Sequence, residues 1–130
     1  MNGTICFSID ENFVPHLSAA IESLIANNNS PVDIFIVDFG LSQTSKDNFV
    51  SQARGCIKSL NFISPPGFIA DFQTISHFTS AMYGRLILPG YLENREKIIY
   101  SDADVIFMRD LAPILDIELG DFPIAEIGRA

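Results

Sequence analysis

The sequence predicts an α/β fold, a mostly parallel sheet with helices on both faces, and three observations carry that prediction. Short apolar, β-prone runs alternate with stretches of helical periodicity in the order strand, helix, strand, helix, strand. The second such run, Val32 to Phe39 (VDIFIVDF), is almost continuously apolar, as expected of a strand buried on both faces. The breaks between runs are short, with no linker, internal repeat or low-complexity segment, so residues 1–130 read as a single domain.

Taken in order, Thr4 to Ile9 (TICFSI) is the first strand, ended by Asp10-Glu11-Asn12. Phe13, Leu17, Ile21, Leu24 and Ile25 then recur at helical spacing, with Asn12 as N-cap and Pro15 in the first turn, where its missing N–H is harmless. Asn27 to Pro31 stops this helix, and Gly40 breaks the strand that follows. A second helix is expected over Ser45 to Ile57, capped by Ser42 or Thr44. A third strand is expected over Leu60 to Ile63, before Pro65-Pro66-Gly67. Phe68 to Phe78 reads as a loop over the top of the sheet, and Thr79 to Leu88 as a helix halted by Pro89-Gly90. Lys97 to Ser101 (KIIYS) is a fourth strand that runs into Asp102-Ala103-Asp104. Val105 to Met108 continues extended, Asp110 to Pro113 turns, and Phe122 to Ile127 is a last strand candidate.

Composition narrows the function. Hydrophobic residues make up 48% of the chain and charged ones 18%, which places it among folded domains with a real core. The net charge of -8 and only 8 Lys plus Arg exclude the basic stripe that a nucleic acid needs. A phosphorylated small molecule would need its charge neutralised by something else, and a divalent cation held by carboxylates is the obvious means. Cys6 and Cys56, expected in a buried strand and at a helix end, form no metal or disulfide pattern and read as free thiols. With no apolar run near the roughly twenty residues of a membrane span and no secretory leader pattern, the expectation is a soluble, cytoplasmic protein.

The strongest chemical signal is Lys97-Ile98-Ile99-Tyr100-Ser101-Asp102-Ala103-Asp104. Alternation along a strand sends Asp102 and Asp104 to the same side. Two such charges repel unless a shared cation relieves them, and hard oxygen donors suit Mn2+, with Mg2+ as the alternative. The plain alternative is a pair of solvated aspartates in a turn, but the apolar runs on both sides argue against a solvent turn. Phosphatases of the haloacid dehalogenase type also place D-x-D after an apolar strand. Theirs normally follows the first strand and continues to Thr or Val, whereas Ile106 stands in that position here.

At this point the residues resemble the retaining glycosyltransferases of family 8, the bacterial galactosyltransferase and glycogenin group. Asp10-Glu11-Asn12-Phe13 looks like that family's nucleotide-binding strand end. Ser76-His77-Phe78-Thr79 through Tyr83-Gly84-Arg85-Leu86 is similar to its H-x-S/T…Y-x-R-L segment. Lys97 to Asp104 matches its strand and metal motif, and Leu111-Ala112-Pro113-Ile114-Leu115 resembles the L-x-P-L-W that follows. The order and spacing fit across most of the chain.

The resemblance implies the Rossmann-like lobe of a nucleotide-diphospho-sugar transferase (GT-A fold), and roles position by position. Ser8 and Asp10 would face the nucleotide, Asp10 accepting the uracil N3–H; Asn12 would contact ribose and Phe13 would stack on the base. Asp102 and Asp104 would hold Mn2+ against the diphosphate, with Asp102 also near the ribose or donor sugar. Arg85 would contact donor-sugar hydroxyls and orient Asp102, and His77 would lie towards the acceptor. Simpler roles compete: a strand-end turn and cap for Asp10 and Asn12, core packing for Phe13 and Tyr83, ion pairing for Arg85. His16 reads as surface.

The implied reaction is transfer of a hexose from a UDP-sugar to a hydroxyl acceptor with retained configuration, by family analogy in lipopolysaccharide or surface-polysaccharide synthesis. The family's C-terminal half, with its metal-binding His and diphosphate-binding Lys, is expected to be absent, since the sequence ends at Gly128-Arg129-Ala130. The 130 residues alone are therefore expected to bind nucleotide weakly and turn over poorly, or to serve as a non-catalytic nucleotide-binding or assembly module. Self-association through the face left bare is a further expectation.

Overall fold

A computed structural model describes residues 2–67 and 84–125. Four parallel strands form one sheet: β1 (Gly3–Ile9), β2 (Val32–Asp38), β3 (Ile57–Ile63) and β4 (Ile99–Tyr100), in spatial order β3-β2-β1-β4. Between them run α1 (Val14–Asn27), α2 (Gln43–Gln52) and the one-turn α3 (Leu88–Tyr91), and a second one-turn helix, α4 (Ala112–Leu115), follows β4.

Alternation along the strands divides the core in two. Ile5, Phe7 and Ile9 of β1 and Val32, Ile34 and Ile36 of β2 face Leu17, Ile21 and Leu24 of α1 and Phe49 of α2. Burying side chains of this size contributes about 1.5–3 kcal/mol each, which is why α1 forms with little help from its ends. Cys6 and Val37 point to the opposite face, where Ile63, Leu88 and Leu92 cover them. Phe107 joins the first core edge-on to Phe7, ring centroids 6.4 Å apart at 82°.

The second face is not wholly apolar. Asp33 is buried there, 2.8 Å from the Arg95 guanidinium, and also accepts from Ser59 at 2.8 Å and Asn2 at 3.2 Å. Burial pushes the Asp33 carboxyl up, and the hydrogen bonds from Arg95, Ser59 and Asn2 more than offset it, leaving it below the usual carboxylate range. Arg95 also lies over the Phe35 ring and donates to Thr4 Oγ1, so one guanidinium joins β1, β2 and the approach to β4.

A second strap crosses the far end of α1. Asp110 accepts from the Asn29 amide, the Ser30 hydroxyl and the Ala112 amide, while buried Asn28 accepts from the Leu111 amide. The run Asn27 to Ser30 is thus a docking point as well as a helix stop. Lys97, leading into β4, donates to the carbonyls of Leu115 and Ile117 and closes α4.

Several boundaries move from the sequence expectation. Asp10, not Asn12, caps the first helical turn, Glu11–Phe13, through Oδ1 to the Asn12 amide at 3.0 Å. Helix α2 ends at Gln52, and Gly55, at φ 61°, turns the chain so that Cys56 leads into β3 rather than closing a helix. The expected stop at Pro89-Gly90 lies inside α3, because Pro in a first turn gives up an amide that has no helical partner anyway. Residues 122–125 are not a strand, and the rest of that candidate lies outside the described residues, as do the loop over 68–78 and residues 79–83. Both cysteines are free and buried, and burial pushes the Cys6 thiol up to about 12. No helix of the described residues is long and apolar enough to cross a membrane.

Candidate functional site

The strand order fixes where a ligand can enter. From β1 the chain moves outward through β2 to β3, then returns to add β4 on the other side of β1. In open parallel sheets the ligand crevice is expected beyond the carboxyl ends of the strands where the order reverses, here those of β1 and β4. The segments that follow these two strands form its two banks.

On the first bank, β1 ends at Ile9 and Asp10 stays extended, at φ −101° and ψ −177°, before the single 3-10 turn. The Phe13 amide donates to the Asp10 carbonyl at 3.2 Å, and the Asn12 amide to its carboxylate. Asn12 is exposed, while Phe13 packs partly against the main core with its ring 5.5 Å from that of exposed His16. Phe13 thus packs on the core while remaining partly exposed. Glu11 turns the other way: its carboxylate accepts from the Ser42 amide at 3.1 Å, the Ser42 hydroxyl at 3.0 Å and the Ser45 hydroxyl at 2.6 Å.

On the second bank, Tyr100 pairs with Cys6 and the Ser101 amide donates to the Cys6 carbonyl at 3.0 Å. The strand is shorter than expected, so Asp102 and Asp104 lie in the bend beyond it. Alternation nevertheless persists: Asp102 and Asp104 are exposed and Ala103 between them is buried in the core. Neither carboxylate enters an ion pair among the described residues. Together they offer two hard oxygen donors, and the described residues contain no cluster of three or more His, Cys, Asp or Glu that could hold a metal. A cation here fits the donor set only with oxygens from a ligand or water completing its shell.

Gly84 brings a third segment over the crevice. A Cβ on Gly84 would come within 2.1 Å of Ser8 Oγ and 3.1 Å of the Phe39 ring, so the 84–86 turn lies directly on the ends of β1 and β2. Arg85 is exposed and sits in that turn rather than on a regular helix. Burial raises the Tyr100 hydroxyl first and the Asp102 charge next, while the Arg85 charge lowers it. Arg85 and Asp102 thus act on the same phenol from opposite sides of the charge scale. Ser8 lies under the 84–86 turn that carries Arg85, Asp10 and Asn12 follow β1, and Asp102 and Asp104 follow its neighbour β4; His77 and Tyr83 lie outside the described residues.

Sequence reasoning missed Glu11, Ser42 and Ser45 as parts of this site. The cap signal at Ser42 was readable, and its side chain accepts from the Ser45 amide at 3.1 Å. A partner more than a helix and a strand earlier in the chain leaves no local pattern.

The described geometry accords with known proteins. The family model described as Glycosyl transferase family 8 matches residues 4–128. A Haemophilus influenzae protein assigned as a glycosyltransferase is 32% identical over 127 residues, covering 93% of this chain and 37% of that protein. The galactosyltransferase LgtC, solved in complex with donor and acceptor sugar analogs, superposes with a TM-score of 0.80 at 27% identity, covering 91% of this chain and 44% of LgtC. The bifunctional glycosyltransferase WbbM gives 0.73 at 25% identity, over 92% of this chain and 21% of its own. The chain spans less than half the length of these relatives.

Proposed function

The chain belongs to glycosyl transferase family 8, as a GT-A lobe covering the N-terminal part of the family fold, and from that premise we propose that it binds the nucleotide and diphosphate of a UDP-sugar together with a divalent cation. The observation that supports the proposal is the strand order β3-β2-β1-β4, which makes β1 and β4 neighbours, so that the segment with Asp10 and Asn12 and the segment with Asp102 and Asp104 leave adjacent strands. Asp10 and Asn12 meet the nucleoside, with Ser8 beneath it and Phe13 at the base. Asp102 and Asp104 hold Mn2+ or Mg2+, which, when bound, acts as a Lewis acid on the leaving diphosphate. Arg85 faces the donor sugar from the turn above, and His77 belongs to the acceptor side.

In the whole enzyme this lobe serves hexose transfer to a hydroxyl acceptor, a saccharide in keeping with surface-polysaccharide or lipopolysaccharide synthesis, with retention at the anomeric carbon. Calorimetric titration of UDP with and without Mn2+, beside an Asp102→Ala, Asp104→Ala double variant, tests the site. Binding that requires Mn2+ and disappears in the double variant is the expected result. Binding that ignores both the metal and the substitution overturns the metal assignment, and no binding in any condition leaves a scaffold lobe without its own nucleotide site.

A further inference from the structure

We propose that Glu11 is a positioning residue for the nucleotide-facing turn, holding Asp10 and Asn12 in binding geometry through its clasp on the N-terminus of α2. The inference rests on reading that turn as the nucleotide contact. Glu11 lies between the two residues assigned to the nucleoside, yet its carboxylate turns to Ser42 and Ser45 at the start of the neighbouring helix. A lone 3-10 turn of three residues has few bonds of its own and frays readily. The clasp supplies what the turn lacks: three hydrogen bonds from the first turn of a ten-residue helix whose dipole favours a carboxylate there.

The other end of the clasp is itself anchored. Helix α2 is seated by buried Phe49 and Leu41, and the Asp38 carboxylate accepts from the Gly40 and Leu41 amides at 2.9 and 2.7 Å. Lys46, 3.2 Å from Asp38, pairs with an acid whose charge otherwise opposes that of Glu11. A continuous path therefore runs from the end of β2 through Ser42 to Glu11, and from there to the turn at the end of β1. The Phe39 amide, donating to the Ile9 carbonyl at 3.1 Å, joins the two strand ends directly.

Amide hydrogen exchange and UDP titration on Glu11→Ala, Ser45→Ala and the double variant separate positioning from general stability. In Glu11→Ala, exchange at the Asn12 and Phe13 amides rises about tenfold and UDP affinity falls about fivefold. Adding Ser45→Ala to Glu11→Ala changes neither further, because the interaction is already gone. A lower melting temperature with unchanged exchange at those amides and unchanged affinity overturns the proposal. If the parent chain gives no heat with UDP, the nucleotide reading fails separately. The exchange rates still decide the clasp: acceleration upholds it and unchanged rates overturn it.

Discussion

Glu11, at the end of β1, accepts three hydrogen bonds, whereas Asp102 and Asp104, at the end of β4, enter no ion pair among the described residues. Both banks carry exposed acids, but the first spends its charge on a helix N-terminus and the second leaves two charges one residue apart facing solvent. On the proposed reading, the difference separates recognition from charge handling. Contacts to a neutral base need fixed donors and acceptors before binding, while a cation site gains from charges that only the cation relieves.

The largest effect tests the open bank. Asp104→Asn is expected to weaken Mn2+-dependent UDP binding by about 30-fold or more while leaving the melting temperature unchanged or slightly raised, since it removes a repulsion and no partner. Calorimetry of binding and of unfolding checks both halves; a clear loss of stability would mean that Asp104 has a structural partner and the banks are not so different.

Next in size, Gly84→Ala must lift the 84–86 turn off Ser8, at a cost of about 1–3 kcal/mol by urea unfolding. Arg85 moves with it, so the Tyr100 phenol titrates higher than in the parent chain, readable by ultraviolet titration. On the closed bank, Ser42→Ala removes both the α2 cap and one clasp donor and is expected to lower stability by about 1 kcal/mol in the same unfolding assay.

The smallest effect is a matter of pH. The Ser45 hydroxyl, followed by the Ser42 amide, holds the Glu11 carboxyl below its ordinary value near 4.5. A group that titrates lower in the folded chain stabilises it fully above the unfolded value and loses that contribution as pH falls through the folded one. Melting temperatures of the parent and of Glu11→Gln, taken from about pH 6 down to about pH 3, should therefore converge in acid. Curves that stay parallel would show that Glu11 contributes nothing as a charge.

Much of this arrangement was legible in the sequence, for stated physical reasons. Thr4 to Ile9 and Val32 to Phe39 carry enough β-branched and aromatic residues to mark both central strands, and Asp102-Ala103-Asp104 stands out against its apolar flanks. What escaped depended on distant partners. Val32 to Phe39 read as uniformly buried, yet Asp33 within it is paired with Arg95, which no local pattern reveals. The helix expected over Ser45 to Ile57 ran too far because Gly55 acts through a left-handed turn, while propensity alone suggested only a weak interruption. Asn12 adjoins the apolar periodicity and so reads as the cap, whereas the extended backbone at Asp10 makes Asp10 the cap of the first turn.

The two-residue β4 has a kinetic consequence. Its partner strand lies far back in the sequence, so the pairing of Ile5 with Ile99 and Cys6 with Tyr100 closes a loop through most of the domain. The β1–α1–β2–α2–β3 unit needs no such closure and should form first, leaving the strand that leads to the acidic pair to dock last. So short a strand, held to its neighbour by few backbone bonds, is also the first expected to open in the native state. The acidic bank would then be the last part of the crevice to assemble and the first to come apart, and a cation bound there would act as a latch on the edge of the sheet.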